Sequence, residues 1–465
     1  MKSIKVLALL LLAGIVFTSC KESGAKESNQ QTNIIMVMAD DLGWGDVGFN
    51  GNKIIKTPGL DRLASLGVIF DRFYSAAPVC SPTRGSFLTG RHPFRYGIYF
   101  ANIGFMKDQE ITLAEELKTM GYKTGHFGKW HLGAISDSLP DGRRGGTGTK
   151  VISTPWDNGF DECFSTEQAV PTWNPMENQP LKNPTRYWTA PGVYETENLE
   201  GDDSRVIMDR AIPFINQAVK QDKPFFTVIW FHTPHSPVVA GPEYLEMYKE
   251  YDENKQHYYG CITAMDEQMA RLHDELKKLG IDKNTLISFC SDNGPAGEGG
   301  GIGQNPGQRQ QGITGGFKGR KGSLYEGGVR VPAFIVWPEQ LEANQRTSFP
   351  GVTSDYFSTI LGILGKEAPE SRPYDGIDLI KAMETKDKER DGYIGFQSRK
   401  QKSLLTQRYK LITVDGENFE LYDLIQDKYE KSNIAAANPE IVAELKQQLE
   451  DWVKSCKNSD GGNDY

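Results

Sequence analysis

Short runs of almost uninterrupted apolar residues recur along the chain, and each stops abruptly at a cluster of polar side chains. They are Asn33–Ala39 (NIIMVMA), Pro224–Phe231 (PFFTVIWF), Leu286–Cys290 (LISFC) and Val331–Trp337, and the more mixed Tyr122–Phe127 (YKTGHF) reads as another short strand. A run without polar alternation predicts a strand buried on both faces, as in a parallel sheet. Between the runs the period lengthens to that of amphipathic helices: Thr57–Leu66, Leu113–Met120 ended by Gly121, Arg205–Gln221 and Tyr258–Gly280. Asp266 and Glu267 in the last of these read as its solvated face, and Gly67–Tyr74 reads as one more strand. Strands alternating with helices predict an α/β fold, a large mixed and mostly parallel sheet sandwiched by helices.

Two regions break the pattern. Residues 134–205 are rich in Gly, Pro, Asn, Asp and Trp, and read as long loops over one face of the sheet, where specificity is often built. After about Lys381 the runs shorten to Gly392–Phe396, Lys402–Thr406, Tyr409–Val414 and Phe419–Asp423, followed by an amphipathic helix over Glu440–Lys454. The expected division is a main domain over 33–385 and a smaller antiparallel α+β subdomain over 386–465.

Residues 1–20 read as a targeting segment. Lys2 and Lys5 precede Val6–Phe17, an apolar stretch too short to span a bilayer, and Phe17-Thr18-Ser19-Cys20 resembles the end of a bacterial lipoprotein signal. That pattern implies export to the periplasm or outer-membrane surface, with a lipid on Cys20 as the membrane attachment and 21–32 as a polar tether. Composition changes the picture little, at 38% hydrophobic and 24% charged over 465 residues. A net charge of −9 excludes a nucleic-acid partner but leaves a small anion open, because that answers to the local field of a cleft. Cys163, Cys261, Cys290 and Cys456 are too scattered for a zinc knot, and their pairing stays open.

The chemistry lies where the apolar runs stop. Asn33–Ala39 ends at Asp40-Asp41, Pro224–Phe231 at His232-Thr233-Pro234-His235-Ser236-Pro237 and Leu286–Cys290 at Asp292-Asn293-Gly294, while the short strand Tyr122–Phe127 runs into Gly128-Lys129-Trp130-His131. The two prolines hold the histidine loop extended. If the four strands share one sheet, these groups converge on its carboxyl edge, where open α/β sheets bind ligands. Three carboxylates and an amide oxygen suit a hard divalent cation such as Ca²⁺ or Mg²⁺. Lysines, an arginine and histidines around it would hold a tetrahedral dianion or monoester. Cys80 opens the stretch Cys80-Ser81-Pro82-Thr83-Arg84, with Ser81 as helix N-cap and Pro82 at the first helical position. The thiol thereby sits at the positive end of a helix dipole.

Taken together these motifs resemble the formylglycine-dependent sulfatases of the alkaline phosphatase superfamily. Cys80-Ser81-Pro82-Thr83-Arg84 looks like their maturation signature. The resemblance continues through Asp40-Asp41, Gly128–Gly133, His232–Pro237, Asp292-Asn293-Gly294, Lys321-Gly322 with Tyr325–Arg330, and Glu420–Leu424. It implies that a separate maturation enzyme oxidises Cys80 to formylglycine, whose hydrate attacks sulfur. It implies Ca²⁺ held by Asp40, Asp41, Asp292 and Asn293 with the modified Cys80 beside it. It also implies Arg84 and Lys129 steadying the formylglycine oxygens, and His131 as the base that regenerates the aldehyde. His235 and Lys321 would hold the sulfate and protonate the departing oxygen, with His232 in a supporting role. A sulfated polysaccharide is the expected substrate, on the strength of the signal segment and the Trp-, Asn- and Arg-bearing loops of 156–205. Two rivals remain at this point: a phosphatase or phosphodiesterase of the same superfamily, and a catalytically silent glycan-binding lipoprotein. With seven histidines in the chain and Asn293 after Asp292, a two-zinc phosphatase site is disfavoured.

Overall fold

A computed structural model describes residues 31–177, 179, 183–297, 309–384 and 389–465. The targeting segment, Cys20, most of the tether and the boundary placed at 385 therefore lie outside the described residues. In chain order the elements begin β1 (Asn33–Ala39), α1 (Pro58–Ser65), β2 (Val68–Phe70), β3 (Phe73–Tyr74), α2 (Cys80–Thr89), α3 (Leu113–Thr119) and β4 (Lys123–Lys129). There follow β5 (Glu162–Thr166), β6 (Trp188–Ala190), β7 (Val193–Tyr194), α4 (Asp203–Lys220), β8 (Phe225–Trp230), α5 (Pro242–Met247), α6 (Glu253–Lys278) and β9 (Thr285–Ser291). Next come α7 (Glu326–Val329), β10 (Arg330–Val331), β11 (Phe334–Val336), β12 (Gln345–Thr347), β13 (Gly351–Val352), α8 (Asp355–Ile363) and α9 (Leu379–Glu384). The chain closes with β14 (Ile394–Ser398), β15 (Gln401–Leu405), β16 (Tyr409–Thr413), β17 (Phe419–Asp423) and α10 (Pro439–Asp460).

Ten strands form one sheet in the order β12-β2-β11-β9-β1-β8-β4-β5-β6-β7. Its centre, β9-β1-β8-β4-β5, is parallel throughout, with Val37 of β1 opposite Phe289 on one side and Ile229 on the other. The predicted α/β sandwich is what forms. Every residue of β1 is buried. Ile35, Val37 and Ala39 enter one apolar cluster, with residues of α1, α4 and α6, while Ile34, Met36 and Met38 enter the other, with residues of α2, α3 and α8. A strand covered on both faces has no solvated side, so its sequence cannot alternate. Each of the Ile, Met and Val side chains contributes about 1.5–3 kcal/mol by leaving water.

Several expectations need correction. Residues 134–205 are not all loop, because β5, β6 and β7 extend the main sheet from within them. Gly67–Tyr74 and Val331–Trp337 each divide between two sheets: β2 and β11 join the large one, whereas β3 and β10 pair in a three-stranded sheet with β13. Asp266 is not solvated; its buried carboxylate accepts from Gly59 N at 2.8 Å and Leu60 N at 2.6 Å, capping α1 from another helix. Thr57 makes no side-chain cap there, so the long-range carboxylate supplies what the local sequence lacks. Ser81 is not the cap of α2, which opens at Cys80 after an extended Val79. Thr83 Oγ1 instead donates to the carbonyls of Ala77 and Val79, drawing the helix start forward.

The last four strands form a separate antiparallel sheet, β14-β15-β16-β17, with α10 packed on it. The carboxylate of Asp375 ties α10 to the segment after α2. It accepts from Trp452 Nε1 at 2.9 Å, from Arg95 Nε at 2.7 Å and from His92 N at 2.6 Å. Burial works to raise this carboxyl, but Arg95 outweighs it and brings it down to about 2. Its contribution is thus present above the ordinary value of 3.8 and lost as the pH falls through about 2. Asp375→Asn should therefore lower the unfolding free energy by about 3 kcal/mol at neutral pH. Thermal melts of the two proteins should converge on acidification; an equal gap at neutral and strongly acid pH would refute this account.

Candidate active site

The four central parallel strands deliver their ends to one place. Asp40 and Asp41 follow β1, Asp292 and Asn293 follow β9, Lys129 ends β4, and His232–His235 follow β8. Gly128 allows this convergence: with φ at +108° it passes so close to β8 that a Cβ would lie 1.9 Å from the Trp230 carbonyl oxygen. The histidine loop is not extended. His235 N donates to His232 O at 2.7 Å, closing a turn.

At the centre lie buried carboxylates bound by cations. Arg84, wholly buried on α2, places Nη2 2.8 Å from Asp292 Oδ2 and 3.2 Å from Asp40 Oδ2, while its Nη1 donates to the Lys129 carbonyl at 3.1 Å. Lys129 Nζ reaches Asp40 Oδ2 at 2.5 Å, and Lys321 donates to Asp41 Oδ1. Asn293 Nδ2 donates to Asp41 Oδ1 at 2.6 Å, and Asp292 Oδ1 accepts from Asp41 N at 3.1 Å. Ser291, given no role by the sequence, accepts from Leu42 N and donates to the Asn293 carbonyl, fixing both acidic turns. The side chains of His235 and Lys321 are 23% and 21% exposed against 2% for Asp41, so the site opens on their side.

Burial works to raise the Asp40 carboxyl, but Lys129, His235, Arg84 and Lys321 outweigh it and hold it well below the usual range. For Asp292, burial and then the charge of Asp40 win over Arg84 and Lys129 and push it up. Arg84, Lys129 and Lys321 match the three carboxylates charge for charge, and it is burial first that keeps Asp292 raised. Asp40 Oδ1 and Asn293 Oδ1 are buried without a hydrogen-bond partner. Asp40, Asp41 and His235 each bring a ligand atom within 4.8 Å of one another. Unpartnered oxygens in a buried acidic cluster fit a hard divalent cation.

Cys80 is buried at the first position of α2, a turn before Arg84, and is a free thiol, as are Cys163, Cys261, Cys290 and Cys456. His131, in a left-handed conformation at φ 57°, holds Asn102 Oδ1 at 2.8 Å through Nε2, and its Nδ1 is buried without a partner. Asn102 escaped the sequence reading, since nothing in its loop marks it. His235 Nδ1 donates to Ser236 O at 2.6 Å, turning Nε2 toward Asp41. His232 stands apart from the carboxylates, in a buried chain from Thr166 Oγ1 through Asp203 to Tyr187. Trp188 is fully buried against Tyr194, so it is no platform for a sugar.

Fold and site together define an alkaline-phosphatase-like α/β enzyme with an acidic, cation-lined cleft at the carboxyl edge of its sheet. The family model described as Sulfatase matches residues 32–366, and one described as N-sulphoglucosamine sulphohydrolase, C-terminal, matches 315–455. The N-acetylgalactosamine-6-sulfatase of Canis lupus familiaris is 33% identical over 380 residues, covering 77% of this chain and 67% of that protein. The steryl-sulfatase of Rattus norvegicus is 30% identical, covering 76% of this chain and 70% of that one. Among solved structures, Ps i-CgsB matches with a TM-score of 0.78 at 27% identity, over 91% of this chain and 93% of that chain. The chain belongs to the sulfatase family.

Arg84→Lys keeps the charge but cannot span Asp40, Asp292 and the Lys129 carbonyl together. It should lower the melting temperature and reduce sulfate-ester turnover by on the order of 10²-fold or more. Wild-type melting and turnover in that variant would show that the bridge does not organise the site.

Proposed function

We propose that this sulfatase removes sulfate from a sulfated glycan, using Ca²⁺ and a formylglycine made from Cys80 by a separate maturation enzyme. The observation that carries this reading is the meeting of Asp40, Asp41, Asp292 and Asn293 beside Arg84 and Lys321, at the edge where α2 presents residue 80. Support for a glycan comes from relatives named for N-acetylgalactosamine 6-sulfate and from the neocarrahexaose complex of Ps i-CgsB, 27% identical to this chain. Export as a lipoprotein anchored at Cys20 is part of the same proposal, and would place the enzyme where polysaccharides are met.

Oxygens of Asp40, Asp41, Asp292 and Asn293 would hold the cation, which when bound would act as a Lewis acid on the sulfate oxygens. Oxidised residue 80 would supply the attacking oxygen. Arg84 is fixed by its two carboxylates and cannot swing away, so with Lys129 it sets a constant positive field beside residue 80. Lys321 is the exposed cation of the mouth. Burial works against its charge, but Asp41 and the other carboxylates keep it protonated, so it can hold a sulfate oxygen. His235 has its Nδ1 proton committed to Ser236 O and burial lowers it to about 4, so Nε2 rests bare. That nitrogen would take up a proton, which Asp40 and Asp41 favour, before giving it to the departing alcohol oxygen. His131 would accept a proton at a ring nitrogen. Burial, then Lys129, Arg144 and Arg84, hold it neutral for that purpose.

Coexpression with a formylglycine-generating enzyme should convert the Cys80 peptide to the aldehyde form by mass spectrometry. Cys80→Ala should lose activity by on the order of 10³-fold or more. Chelation should abolish sulfate release and Ca²⁺ restore it. An unconverted but fully active wild type, or indifference to chelator, would reject this mechanism. A panel of sulfated oligosaccharides should include a substrate; turnover of aryl or steroid sulfates alone would reject the glycan. Preferred turnover of phosphate esters would reject sulfate.

A further inference from the structure

Three residues other than glycine adopt left-handed backbone around this site: Asp41 at φ 65°, Asn102 at φ 63° and His131 at φ 57°. Such conformations persist only where surroundings over-determine them, and they gather at functional sites. For Asp41 the neighbours are the carboxylate cluster. For His131 the principal neighbour is Asn102, which lies in a tight turn. Ile103 N donates to Phe100 O at 3.0 Å, and Gly104, at φ +82°, passes so near the chain that a Cβ would lie 1.9 Å from the Gly97 carbonyl oxygen. The turn is braced from two sides. Asn102 N donates to Ser81 Oγ at 3.4 Å, next to Cys80, and the Arg399 guanidinium from the β14–β15 hairpin stacks 4.0 Å from the Phe100 ring centre. Asn is among the residues that tolerate left-handed backbone best, so it presents its amide without the strain most side chains would add.

The contact between them decides a proton's position. An amide oxygen only accepts, so the 2.8 Å contact from Asn102 Oδ1 to His131 Nε2 requires the ring proton at Nε2. Nδ1 is then the bare nitrogen, and it is the one buried without a protein partner. We propose that Asn102 is a positioning residue for His131, fixing its imidazole proton at Nε2 and thereby presenting Nδ1 as the proton acceptor of the site. The proposal rests on the assignment of His131 as a base. Its added content is that a loop residue chooses the tautomer and, through Ser81, ties the base to the helix that carries residue 80.

The test uses the full chain, with conversion of Cys80 checked by mass spectrometry in every variant. Seven histidines make the ring ¹⁵N spectrum assignable, and His131→Gln identifies the His131 signals. The wild type should show His131 protonated at Nε2 with a lone pair at Nδ1. Asn102→Ala should give a mixture of tautomers and lower kcat about 10- to 100-fold with KM little changed. Asn102→Asp keeps an accepting oxygen, and should retain the Nε2–H tautomer and recover most of the turnover. A wild-type ring protonated at Nδ1, or Asn102→Ala with wild-type tautomer and kcat, would overturn the proposal. So would an Asn102→Asp variant as slow as Asn102→Ala despite a normal melting curve. A converted wild type that releases no sulfate from any ester would instead defeat the mechanism it builds on, while the tautomer measurement would still judge the Asn102–His131 pair.

Discussion

Burying three carboxylates in one cluster linked by shared cations is the constraint on which this structure turns. Water cannot screen Asp40, Asp41 and Asp292, so each needs a positive group held in place. Arg84 binds two of them with one nitrogen, Lys129 closes on Asp40 and Lys321 on Asp41. Burial and shared cations still divide them, since Asp292 is driven upward while Asp40 is held down. With oxygens of Asp40 and Asn293 buried and unpartnered, the cluster offers donors that suit a hard cation.

The sheet makes such a concentration of charge affordable. Its parallel centre aims four strand ends the same way, and the apolar side chains on both faces of β1 hold those ends without flexing. A group at the end of such a strand is fixed by the whole sandwich rather than by its own loop. The same economy recurs farther out. Glu326 is buried between Lys410, Arg330 and the Tyr74 hydroxyl, joining the three-stranded sheet to the C-terminal one. Gln401, from that C-terminal sheet, donates to the Gly322 carbonyl and accepts from Leu324 N, bracing the segment that carries Lys321. The appended sheet therefore helps to shape the mouth of the site.

Much of this was legible because burial on both faces leaves a mark on sequence. The uninterrupted runs ending at Asp40, His235 and Asp292, with the more mixed strand ending at Lys129, announced both the parallel sheet and the residues at its edge. Where signals were local they were less dependable. Asp266 looked solvated because a helical period cannot say which other element lies alongside, and it proved to cap α1. Gly67–Tyr74 and Val331–Trp337, each read as one strand, split between sheets, since a strand pattern records burial and not partner. Short strands amid Gly and Pro, such as β6 and β7, left too brief a pattern to separate from loop.

By itself the sequence determined which residue types would meet at the carboxyl edge, because strand length and polarity are properties of contiguous residues. Tertiary structure alone decided how their charges balance, which nitrogen of His131 is engaged, and that Asn102 and Ser291 belong to the site. Those are matters of distances between segments far apart in the chain, set by packing to fractions of an ångström, and no contiguous pattern encodes them.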